Sequence, residues 1–105
     1  MAGGEAGSIL KRLLFRASAR ADLDQIYLWT AEKFGLAQAE DYVSGLVRKA
    51  EDASSEPLSW RDAGHIRPGL LRTGFQSHVL YAVQTPAAFE VIRILHGGMD
   101  ADRWV

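Results

Sequence analysis

Cysteine is absent from the chain, proline occurs three times, and neither sign of charge dominates, with 12 Lys and Arg against 13 Asp and Glu. Without cysteine there is no disulfide framework, no thiolate zinc site and no cysteine nucleophile, and the composition fits a reducing compartment, so a cytoplasmic location is expected. A formal charge of −1 gives no long-range attraction to phosphate backbones, so direct specific nucleic-acid binding is not expected. No apolar stretch reaches the roughly 18 residues of a membrane span, and the start, Met-Ala-Gly-Gly-Glu-Ala-Gly-Ser, lacks the apolar run of a signal peptide. Residues 1–8 read as a flexible leader, and residues 9–105 as one domain large enough for a core. Phosphate-binding glycine loops, His-Glu-x-x-His and Gly-x-Ser-x-Gly are all missing. The histidines, His65, His78 and His96, are scattered, so neither a metal nor another cofactor is expected.

Hydrophobic periodicity is what the chain does have. Ile9 to Phe15 reads as a strand. Ser18 is a candidate helix cap, after which Leu23, Ile26, Tyr27, Thr30 and Phe34 recur at helical steps and Gly35 supplies a left-handed stop. A second stripe, Ala39, Tyr42, Val43, Leu46, Val47, Ala50 and Ala53, predicts another helix, and the short link makes an antiparallel helical hairpin. Residues 54–69 break the periodicity with prolines and glycines and read as a loop. Leu70–Thr73, Gln76–Val83 and Phe89–His96 then read as strands, joined at Gly74-Phe75 and at residues 84–88. The predicted class is α+β in the order β-α-α-β-β-β, a helical hairpin on one face of a small antiparallel sheet.

The run Val91-Ile92-Arg93-Ile94-Leu95-His96-Gly97-Gly98-Met99-Asp100, preceded by Pro68-Gly69-Leu70-Leu71-Arg72, carries a further signal. Together with Leu14-Phe15, Ala19, Asp22-Leu23, Ile26-Tyr27 and Val79-Leu80-Tyr81, it resembles ParE-type toxins of the ParE/RelE superfamily from Leu13 to Asp100. The resemblance implies a bacterial toxin of a type II toxin-antitoxin system, as in plasmid stabilisation, held by a cognate ParD-like antitoxin in a hetero-oligomer. The ParE branch acts on DNA gyrase without hydrolysis; the RelE branch cuts messenger RNA on the ribosome. A third reading is a non-toxic module that only binds antitoxin.

Chemistry separates the branches. Metal-independent RNA cleavage needs a general base, a general acid and cations on the phosphate, for which Arg72, Arg93 and His96 are the candidates. Basicity is lacking, since residues 1–60 carry −2 and residues 61–105 carry +1, and the gyrase branch is favoured. Target contacts are assigned to Arg72, Arg93, His96, Asp100, Arg103 and Trp104. Leu28 and Trp29 lie off the first helical stripe, and with Trp60 and Tyr81 they are assigned to the antitoxin. Structural roles stand beside these assignments. Arg93 can ion-pair with Glu90 or a helix carboxylate, and His96 can orient the Gly97-Gly98 turn. Arg72 can be an edge charge, Trp60 can pin the loop, and Tyr81 can be core.

Overall fold

The computed structural model describes residues 12–56 and 59–105. The leader expected at residues 1–8, and the first part of the strand expected from Ile9, lie outside the described residues.

β1 spans Arg12–Phe15, α1 Ala17–Phe34, α2 Leu36–Ser54, β2 Arg61–Asp62, β3 Leu70–Phe75, β4 His78–Gln84, β5 Ala88–His96 and α3 Ala101–Trp104. The strands form one five-stranded sheet in the order β1-β5-β4-β3-β2. Its antiparallel part is the predicted meander, extended at one edge by the two residues of β2. At the other edge β1 lies parallel to β5, Leu13 beside Phe89 and Phe15 beside Val91. The sheet is therefore mixed rather than antiparallel. Short hairpins dictate antiparallel pairing only for neighbours along the chain, whereas β1 meets β5 after both helices and the meander have intervened.

The helical hairpin forms as its spacing predicts. Ala39, Leu46, Ala50 and Ala53 of α2 are buried with Tyr42 and Val43 beside them, and Ala19 and Ile26 of α1 complete a core against Leu80, Ala82, Phe89, Val91 and Ile94. Gly35 joins the helices at φ 95°, ψ 166°, its amide donating to the Ala31 carbonyl. Only glycine occupies that region at low cost. Ser18 is not the cap: α1 begins at Ala17, and the Ser18 hydroxyl donates instead to the Ile92 carbonyl at 2.6 Å. The β3–β4 turn falls at Gln76-Ser77, with Gln76 at φ 51°, two residues later than Gly74-Phe75.

A second cluster, Ala63, Leu70, Tyr81, Ile92 and Leu95, lies on the sheet face away from the helices, covered by Ile66 of the loop and by Ala101 and Val105 around α3. Both faces are thus buried in part. A bulge opposite Tyr81/Ala82 makes this possible, because it leaves Ile92 unpaired and resets the alternation of β5. Simple alternation groups Val91 with Leu95 and Ile92 with Ile94. In the structure Val91 joins Ile94 under the helices, and Ile92 joins Leu95 on the far face.

Candidate functional site: a helix-side groove and a braced strand edge

β1 stops at the level of Val91, which leaves the outer edge of β5 unpaired beyond it among the described residues. Polar groups at the start of α1 continue the hydrogen bonding there. The Arg16 amide donates to the Val91 carbonyl at 2.9 Å, the Ser18 hydroxyl takes the Ile92 carbonyl, and Asp22 Oδ2 accepts from the Ile94 amide at 2.8 Å. The same carboxylate holds the Arg93 guanidinium by two bonds, Nε to Oδ2 at 2.8 Å and Nη2 to Oδ1 at 3.0 Å. Arg93 Nη1 donates to the Trp104 carbonyl at 2.7 Å, which ties α3 to the same edge. Bonding to Asp22 raises the Arg93 pKa, against a smaller opposing effect of burial. Arg93 therefore pairs with a helix carboxylate, and Glu90 pairs with Arg16 instead, at 2.7 Å.

On the helix side, two clefts of about 340 and 270 Å³ share Trp29, His78 and His96. Gln25 and Ile26 line the first, and Thr30, Phe34, Gln38 and Tyr42 help to line the second. His78 and His96 are direct cross-strand partners with ring centroids 5.7 Å apart. His78 Nδ1 bonds the Tyr42 hydroxyl at 2.8 Å, and His96 Nδ1 accepts from the Gly98 amide at 3.1 Å. The latter bond ties the imidazole to the Gly97-Gly98 turn. Burial lowers the His78 pKa and the nearby His96 lowers it further, while Asp22 acts weakly the other way. Among the described residues no three His, Asp or Glu side chains converge as metal ligands do.

Apolar side chains of the hairpin stand in water, Leu28 62% exposed, Trp29 55%, Phe34 64% and Leu36 64%, and of these Trp29 and Phe34 line the groove. Trp29 and Phe34 meet edge to face at 6.0 Å. The spacing of Phe34 predicts a place on the core-facing stripe. Lying one residue before Gly35, it is instead left exposed at the turn of the hairpin. Phe34 and Leu36, missed as surface residues, are signalled only by the glycine between them.

The remaining candidates are dispersed. Trp60 and Tyr81 are 6% and 5% exposed. Trp60 stacks on Phe89 at 5.7 Å with its indole nitrogen unpaired among the described residues, and Tyr81 sits in the far-face cluster, so neither presents a ring to a partner. Arg72 is on the far face of β3, opposite Tyr81, whereas His96 contacts His78 on the helix side. The structure does not bring Arg72, Arg93 and His96 into one constellation. Asp100 caps α3 by accepting from the Asp102 amide at 3.2 Å, and Arg103 lies 5.9 Å over the half-exposed ring of Trp104.

A helical hairpin packed on one face of a mixed five-stranded sheet defines a small α+β domain. The same fold occurs in a chain from the chromosomal ParDE TA system from P. aeruginosa, with a TM-score of 0.75 and 19% identity over 85% of this chain and 98% of that one. Sequence carries the assignment further. Residues 13–101 match the family described as the ParE toxin of type II toxin-antitoxin system, parDE, and the chain belongs to that family. It is 36% identical over 93 residues to Toxin ParE1 of Mycobacterium tuberculosis (strain ATCC 25618 / H37Rv), covering 88% of this chain and 95% of the relative. To Toxin ParE1 of Caulobacter vibrioides (strain ATCC 19089 / CIP 103742 / CB 15) it is 32% identical over 83 residues, 79% of this chain and 85% of that protein.

Proposed function

We propose that the chain inhibits DNA gyrase without hydrolysing a substrate and is neutralised by a cognate antitoxin. The observation that carries the non-hydrolytic reading is the engagement of Arg93: its guanidinium is spent on Asp22 and on the Trp104 carbonyl. With Arg72 and His96 on opposite faces, this cation and this titrating group are not placed around one scissile phosphate. The antitoxin contact falls on the groove lined by Trp29 and Phe34 and on the exposed Leu28 and Leu36 of the same helical hairpin. An amphipathic segment laid along it covers side chains that are otherwise costly to leave in water. Asp100, Arg103 and Trp104, grouped on α3 with Arg93 bracing them, form the target-facing surface.

The test uses the purified chain freed of its antitoxin. Added to gyrase and relaxed plasmid, it is expected to block supercoiling or to trap cleaved DNA, and prior addition of the antitoxin restores supercoiling. Supercoiling that proceeds unchanged at saturating toxin overturns the gyrase reading. Codon-positioned cuts in translated messenger RNA, lost in His96→Ala, overturn the non-hydrolytic one.

A further inference from the structure

The sheet face away from the helices carries a charge arrangement that the proposed function leaves unused. Arg61 of β2 and Arg72 of β3 are direct cross-strand partners, so their side chains leave the sheet side by side on one face. Like charges in that register repel each other. Neither guanidinium has an ion-pair partner among the described residues, where the ion pairs are Arg16 with Glu90 and Arg93 with Asp22. The neighbouring Asp62 alternates onto the opposite face, opposite Leu71, and its carboxylate accepts from the Gly64 amide at 3.3 Å.

The two arginines line a cleft of about 300 Å³ together with Ser59, Thr73, Gly74 and Val79. Two planar forks, each with several donors, beside one small hollow match a tetrahedral oxyanion, to which arginine binds bidentately. Gly74 leaves the rim open, since a Cβ there would meet nothing within 4 Å. The volume suits one small anionic group rather than an extended chain. This cleft shares no lining residue with the groove containing Trp29, so an occupant of one leaves the other open.

We propose that Arg61 and Arg72 form a binding site for a phosphate group, free or esterified. The site is independent of the gyrase reading and stands or falls separately from it. The full chain, labelled with ¹⁵N, is titrated at low salt with inorganic phosphate, with oligothymidylate and with hexaglutamate. Phosphate is expected to shift the amides of Arg61, Arg72, Thr73 and Gly74 saturably while those of Trp29 and His96 stay in place. Arg61→Gln and Arg72→Gln each weaken binding at least about tenfold, and the Lys replacements weaken it only a few-fold, because they keep charge and lose the fork. Removing one of two opposed like charges relieves repulsion, so the Gln variants are expected to stay folded, as their own amide spectra report. Oligothymidylate binding more tightly than phosphate identifies an esterified source, and binding no tighter identifies the free anion. The proposal is overturned by shifts that do not saturate, by shifts unchanged in both Gln variants, or by hexaglutamate binding as tightly as the phosphate probes.

Discussion

The carboxylate of Asp22 accepts from Nε and Nη2 of Arg93 and from the amide of Ile94. It thereby does for β5 what a longer β1 would have done: it satisfies an edge amide and holds the strand's charged side chain in place. Charge-assisted hydrogen bonds of this kind are worth about 1.5–3 kcal/mol, and a donor left unpaired in a partly buried site costs more than the bond itself gains. Asp22→Asn keeps the shape but turns an amide NH₂ group toward these donors. The variant is expected to lose about 2 kcal/mol of stability in urea unfolding at neutral pH. Adding Arg93→Met to Asp22→Asn should recover part of that loss, since the orphaned guanidinium is removed. A single variant as stable as the parent would show that the strand edge is held by other means.

At the scale of elements, the hairpin of α1 and α2 depends on one residue. Gly35 ends α1, starts α2 and occupies a conformation open at low cost only to glycine. Gly35→Ala is expected to lose about 1–3 kcal/mol although no neighbour lies near the added methyl, so the effect is purely one of backbone strain. Denaturant unfolding measures it, and a loss below about 0.5 kcal/mol would mean that the turn relaxes into another conformation. This glycine and the α2 stripe are legible in the sequence because they follow from local spacing. The parallel pairing of β1 is not, since it joins segments more than seventy residues apart and leaves no local signature. The bulge at Ile92 is equally silent, and it overturns strict alternation across β5 by placing Val91 with Ile94 on one face and Ile92 with Leu95 on the other. Ser18 has the chemistry of a cap, but a longer-range carbonyl, that of Ile92, competes for its hydroxyl and wins. Asp22 was legible only as part of a family pattern. Its role as a strand brace needed the geometry.

Across the whole molecule, the same residue type serves opposite ends. Trp29 and Trp60 read alike in the sequence, yet Trp29 stands 55% exposed at the groove while Trp60 is stacked on Phe89 inside the core. Folding needs the second and gains little from the first. Trp60→Ala is expected to cost about 3–5 kcal/mol, as for other large core truncations. Trp29→Ala forfeits one edge-on contact with Phe34 and is expected to cost at most about 1 kcal/mol. For binding the order reverses. Exposed aromatic side chains beside a cleft are where interface energy concentrates, so Trp29→Ala, and more strongly Leu28→Glu with Trp29→Glu, is expected to weaken antitoxin binding by 2 kcal/mol or more, about thirtyfold in Kd. With a net charge of −1, the molecule has no strong overall field to steer a partner, so affinity must come from contacts of this kind. Urea unfolding and calorimetric titration with the antitoxin measure the two effects separately. Loss of binding in the groove variants with stability intact places the antitoxin on α1; unchanged affinity in the double variant places it elsewhere, whatever the target proves to be.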